Sequence, residues 1–225
     1  MARQLTFDLP VRPALGREDF FVSPANALAV AALEAPAAWP EGKLLLIGPK
    51  GSGKTHLALV WAAQSGAEVR AAADLDQGDL PGAAALVIED AERVSGNVAL
   101  ETALFHLHNH ILSAKGRLLL TASRSPRDWG LRLADLVSRM EATATARLLP
   151  PDDALLGAVL VKLFADRQLT VSGSLIPWLV GRMDRSFDSA QAIVAALDRA
   201  ALVGRRPINR ALAAELLDSR GQVAP

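Results

Sequence analysis

The eight residues Gly48-Pro49-Lys50-Gly51-Ser52-Gly53-Lys54-Thr55 constrain this chain more than any others. They fit the pattern G-x-x-x-x-G-K-[ST] in full, which the chain's own frequencies of Gly, Lys and Ser/Thr would produce by chance roughly 0.002 times. Glycines let such a turn curl until successive N–H groups point at one anion. Lys54 is placed to reach β- and γ-phosphates, and Thr55 to ligate Mg²⁺. The flanks agree. Lys43 to Ile47 is a short apolar run that reads as a buried strand, and a helix is predicted from Lys54 to about Gln64. The positive end of that helix would face the same anion.

The rest of the chain up to about residue 150 repeats this alternation. Strands are predicted at 68–71, 85–88, 117–121 and 142–148. Between them, a helix over about 98–113 carries Leu100, Leu104, Leu107 and Ile111 on one face. Ser23-Pro24 reads as a helix start, with Ser23 as N-cap and Pro24 at the first helical position. Strands alternating with helices predict a parallel sheet covered on both faces. After Pro150-Pro151 only helical periods remain, at about 152–167, 173–183, 187–203 and 207–218. The expected plan is an extended arm over 1–16, an α/β nucleotide-binding domain over 17–150 and a small all-α lid over 151–225.

Composition excludes several chemistries. The chain of 225 residues has no cysteine, so disulfide scaffolds, Cys–zinc sites, iron–sulfur clusters and cysteine nucleophiles are out. A formal net charge of +0 argues against a chain-wide electrostatic grip on nucleic acid. No signal peptide and no membrane-spanning apolar run is legible, so a cytoplasmic protein is expected. His106 and His110 stand at i, i+4, but the H-E-x-x-H pattern is absent, so a metal role for them is not favoured.

A phosphate loop of this kind needs an acidic pair at a neighbouring strand end. Ile88-Glu89-Asp90 supplies it: Glu89 to hold Mg²⁺ and Asp90 to orient an attacking water.

With these residues in view, Gly48 to Leu57, ending Gly-Lys-Thr-His-Leu, resembles the AAA+ ATPases of the bacterial replication initiator DnaA and its relatives. Phe105 to Asn109 is similar to the segment after the acidic strand end in that family. Leu120 to Pro126 resembles its sensor 1 region, with Ser123 at the sensor. Asp135-Leu136-Val137-Ser138-Arg139 resembles the box that carries its arginine finger, and Glu18 to Val22 with Asn26 the segment that encloses adenine. The resemblance implies an AAA+ fold that binds ADP or ATP with Mg²⁺. It implies that Val22, Asn26, Lys50, Gly51, Ser52, Gly53, Lys54, Thr55 and His56 touch the nucleotide, and that Arg139 serves a neighbouring molecule's ATP in trans.

A short arm, the ATPase region and a lid with no DNA-reading domain after it resemble the Hda-type regulators of that family. In them an N-terminal motif docks on the DNA polymerase sliding clamp; Gln4-Leu5-Thr6-Phe7-Asp8-Leu9 stands here at the same place, with Gln4, Leu5, Phe7 and Leu9 as the anchors. The resemblance therefore implies DnaA and the clamp as partners, DNA only through the clamp, no membrane, and leaves self-association open. Asp188 occupies the position of the family's sensor 2 arginine, with Arg185 one turn earlier as a substitute. That departure, with Glu89 for the usual Asp, implies weak intrinsic ATPase and a nucleotide-stabilised adaptor. The alternative is an autonomous ATPase of the DnaC/IstB helicase-loader type, which shares Gly-Lys-Thr-His-Leu; a module using nucleotide only for stability is a third reading.

Overall fold

The structure is a computed structural model that describes residues 21–76 and 81–221, with side chains to residue 218. Five strands, β1 (Lys43–Ile47), β2 (Glu68–Ala71), β3 (Ala85–Glu89), β4 (Arg117–Ala122) and β5 (Ala144–Arg147), pair in the order β2-β3-β4-β1-β5. Every pair is parallel. The central strands are continuous apolar runs because helices cover both faces. Leu44 and Leu46 point to one face, and Leu45 and Ile47 to the other.

On the first face lie α1 (Ala27–Glu34) and α2 (Lys54–Ser65). Ala29, Leu33, Leu57, Ala58 and Trp61 pack there with Leu44, Leu46, Val87 and Leu119. On the opposite face lie α3 (Val98–Ser113) and α4 (Ala134–Glu141), through Leu104, Leu107, Ile111, Leu136 and Met140. The predicted helix over 98–113 and the predicted strand at 68–71 are present, and the strand predicted at 85–88 runs one residue further, to Glu89.

Two expectations change. Ser23-Pro24 does not start a helix: residues 24–26 form a turn and α1 begins at Ala27. The Ser23 Oγ accepts from the Ala25 N–H (3.2 Å), and Asn26 Oδ1 accepts from the Ser23 N–H (2.9 Å), so both polar side chains close the turn. The helix α4 stands in a stretch where no helix was expected.

The C-terminal helices are α5 (Asp153–Asp166), α6 (Leu175–Val180), α7 (Phe187–Gly204) and α8 (Arg210–Gly221). They bury Leu156, Leu160, Phe164, Leu179, Val194 and Leu197 against one another in a core of their own. Asp152 caps α5 by accepting from the Leu155 N–H, and Ser186 caps α7 by accepting from the Ser189 N–H.

Candidate functional site

The loop of residues 48–53 leaves the end of β1 and enters α2. Its first amide is fixed by the sheet: Gly48 N–H donates to the Ala122 carbonyl at the end of β4 (3.1 Å). Gly51 and Gly53 hold φ of +72° and +93°, conformations that side chains with a Cβ rarely adopt. Space is short as well. A Cβ on Gly51 would lie 2.6 Å from the Ser186 Cβ, and one on Gly53 would lie 2.7 Å from the Phe187 ring. The start of α7 therefore rests directly on the loop, and the Phe187 N–H donates to the Gly51 carbonyl (2.8 Å).

Lys54 is buried, and its Nζ donates to the carbonyls of Gly48 (2.8 Å) and Pro49 (3.0 Å). Burial lowers its pKa from the ordinary lysine range, while the carboxylates of Asp90, Glu92, Asp188 and Glu89 oppose that shift. Around it stand acceptors with nothing to accept from. Ser52 Oγ, Glu89 Oε1 and Glu92 Oε2 are buried and have no hydrogen-bond partner among the described residues. Unpartnered buried polar groups are costly in a protein interior. Ser52 belongs to the loop with its positive-φ glycines, and Glu89 and Glu92 stand at and just after the end of β3, a donor set with the chemistry to receive a Mg²⁺-bound polyphosphate.

The structure places the other expected residues in distinct ways. Thr55 and Lys50 are exposed at the mouth of the loop, and His56 is half-buried one residue further on. Asp90 turns outward with φ of +51°; its N–H donates to Thr121 Oγ1 (3.0 Å) and its carboxylate lies 3.9 Å from Arg93. Val22 is exposed at the rim of a groove of about 450 Å³ between α1 and α2, lined by Val30, Leu57, Val60 and Trp61. Asn26 is buried, and its Nδ2 donates to the Phe21 carbonyl (3.0 Å). Arg185 is ion-paired with Asp153 (2.8 Å) and Asp188 stands beside Gly51. Gln4, Leu5, Phe7 and Leu9 lie outside the described residues.

Ser123 uses both its N–H (2.7 Å) and its hydroxyl on one carboxylate oxygen of Glu92. Glu92 is a residue the sequence reading missed. So is Glu101, which is fully buried and accepts from the N–H groups of Gly96 (3.1 Å), Arg132 (2.9 Å) and Leu133 (2.8 Å). It ties the start of α3 to the segment that leads into α4.

Arg139, on α4, lies toward the other end of the sheet. Its carbonyl meets the Nζ of Lys43, the first residue of β1 (3.5 Å), and its exposed guanidinium stands 5.2 Å from the centroid of the Phe105 ring. From Lys43 to Gly48 the chain runs extended for about 16 Å. The guanidinium and the loop are thus on opposite rims of the same sheet. His106 is exposed, whereas His108 is buried and His110 approaches the Pro81 carbonyl (3.3 Å).

No family model matches the chain. Among solved structures, domain III of the Thermotoga maritima replication initiation protein DnaA superposes with a TM-score of 0.80 at 20% identity, over 94% of this chain and 98% of that one. The AMPPCP-bound DnaA from Aquifex aeolicus gives 0.70 at 20% identity, over 86% of this chain and 68% of that one. The Thermotoga maritima RuvB Holliday junction branch migration motor gives 0.71 at 20% identity, over 93% and 72%. These likenesses show the fold: a parallel five-stranded sheet with helices matching the AAA+ P-loop fold, followed by a helical C-terminal region that fits that fold's lid.

Proposed function

We propose that this chain is an adenine-nucleotide-binding regulator of replication initiation. It docks on the DNA polymerase sliding clamp through Gln4, Leu5, Phe7 and Leu9 and stimulates ATP hydrolysis by DnaA in trans through Arg139. The observation that carries this reading is the separation just described: a complete phosphate cradle on one rim of the sheet and a solvent-facing guanidinium on the other, beyond reach of its own cradle.

In this reading the phosphates of ADP or ATP supply the negative charge that the cradle is built to meet. The N–H groups of residues 51–55 bind the phosphates, and Lys54 Nζ exchanges its loop carbonyls for phosphate oxygens. The Thr55 hydroxyl and the Glu89 carboxylate hold Mg²⁺, Glu89 through the oxygen left without a partner. The groove beside Val22 and Leu57 offers an apolar wall on the base side. Asp188, next to Gly51, brings negative charge where the family's sensor 2 arginine would bring positive, so intrinsic hydrolysis is weak and the nucleotide acts to set the lid.

Arg139 contributes to a partner's site. A guanidinium set against the transferring phosphate stabilises its developing charge, an effect worth roughly 10³–10⁵ in rate. The DnaA structures bound to AMPPCP, one of them also to single-stranded DNA, support a partner of the same fold that presents a nucleotide.

The test measures ATP hydrolysis by DnaA with clamp-loaded DNA and added protein. Wild type should stimulate; Arg139→Ala should bind nucleotide normally and fail to stimulate; Gln4→Ala/Leu5→Ala should lose clamp binding in a pull-down. Stimulation by Arg139→Ala equal to wild type sinks the finger assignment. Hydrolysis by this chain alone at a rate independent of DnaA favours the helicase-loader reading.

A further inference from the structure

Glycine at positive φ serves two different ends in this chain. A Cβ at Gly66 or Gly96, where φ is +69° and +80°, would meet nothing within 4 Å among the described residues. There only the backbone conformation calls for glycine. In the phosphate loop the missing Cβ also makes room for the lid. A Cβ on Gly53 would lie 2.7 Å from Phe187 Cε2 and 3.1 Å from its Cδ2, and one on Gly51 would lie 2.6 Å from the Ser186 Cβ. The Phe187 N–H donates to the Gly51 carbonyl (2.8 Å). Phe187 thus touches both positive-φ residues of the loop, Gly53 through its ring and Gly51 through its backbone. The same ring is half-buried and packs against the lid core that holds Leu156, Leu160 and Val194. One residue, the first of α7, joins loop and lid.

We propose that Phe187 is the positioning residue of the phosphate loop: from the lid it holds Gly51 and Gly53 in the curl that turns the loop's N–H groups toward phosphate. This role rests on the nucleotide reading of the loop and adds a residue that lies outside the loop's own motif. A free glycine takes negative φ about as readily as positive, so an unheld loop spends much of its time with its amides turned elsewhere. Apparent affinity then falls in proportion to the fraction of molecules in the competent form. The ring has no charge and no hydrogen-bonding group, so its contribution is the same for a diphosphate and a triphosphate. By linkage, a nucleotide that holds the loop strengthens the seating of Phe187 as much as Phe187 strengthens the nucleotide.

The experiment measures Kd and the association and dissociation rates for ADP and for AMPPCP, each with Mg²⁺, on the full chain. Phe187→Ala is expected to weaken both nucleotides by about tenfold, with the loss in the association rate and the dissociation rate within about twofold of wild type. Phe187→Leu keeps an apolar side chain against Gly53 and should lose about threefold with the same split; it carries the test if the alanine variant does not fold. Gly53→Ala drives a methyl group into the ring, so its cost to affinity should be at least about threefold smaller in a Phe187→Ala background than in wild type. Costs that simply multiply in the double variant, wild-type affinity in both Phe187 variants, a loss carried by the dissociation rate, or a loss for one nucleotide alone overturns the proposal while leaving the nucleotide reading in place. Wild type binding neither nucleotide overturns both.

Discussion

Each end of β1 has a buried lysine beside it, and the two are treated in opposite ways. At the amino end, Lys43 is ion-paired to Glu41 (2.8 Å) and donates to the Arg139 carbonyl (3.5 Å). Its charge is matched by the chain itself. At the carboxyl end, Lys54 donates to two carbonyls of its own loop, while nearby carboxylate oxygens stay without donors. The first arrangement is complete as it stands. The second leaves buried polar atoms without a partner among the described residues. Satisfaction of the neighbouring polar groups, rather than burial itself, separates the surroundings of the two lysines.

The sharpest way to break that comparison is to make the same substitution at both ends. Lys54→Met is expected to weaken nucleotide binding by about a thousandfold, or about 4 kcal/mol, while the melting temperature of the free protein holds or rises. Lys43→Met should leave nucleotide affinity within twofold. Titration calorimetry on both variants checks this, and a parallel loss of affinity would erase the distinction.

The amino end carries a second buried titratable group. His108 Nδ1 contacts Asn109 Oδ1 (3.3 Å), and its Nε2 has no partner among the described residues. Burial, with the charges of Lys43 and Arg139, pushes its pKa down to about 4 against the opposing charge of Glu41 and the Asn109 contact. Between about 6.5 and 4 the unfolded chain takes up a proton that the folded chain refuses. Stability from this group is therefore full above 6.5 and lost as pH falls, by about 3 kcal/mol in all. Denaturant melts at pH 7, 5.5 and 4 should show this loss reduced in His108→Gln; identical profiles would remove His108 from the account.

Glycine at the loop gives a smaller effect. Gly51→Ala meets both an unfavourable φ and Ser186, and should cost about 1–3 kcal/mol, with protease accessibility of the lid increased. Smallest is Phe105→Leu. It removes the ring beside Arg139 and should change stability by about 0.5–1 kcal/mol, with nucleotide affinity unchanged and trans stimulation reduced a few-fold. A Phe105→Leu variant that stimulates fully would show that the ring does not aim the guanidinium.

The sequence reveals the phosphate loop, the strands and the lid helices because each is a local pattern: glycine spacing, apolar runs, helical period. It hides what depends on distance. The Glu92–Ser123 pair is separated by 31 residues and the Glu101–Leu133 pair by 32, and nothing local marks either carboxylate as held by so distant a partner. The short α4 escapes because its eight residues span only about two turns, too few for a helical period to stand out from the sequence. At Ser23, a good capping residue before Pro24 suggests a helix, but Asn26 closes the turn first and delays the helix to Ala27.

On the function proposed above, the opposite placement of cradle and guanidinium gives the molecule a direction, like an arrow with a socket at one end and a plug at the other. Two copies joined socket to plug still show one unused socket and one unused plug, so such a contact does not close on itself by a twofold axis. On that function, a chain built this way ends a row of similar molecules as readily as it extends one. Which it does depends on whether its exposed end finds anything to receive.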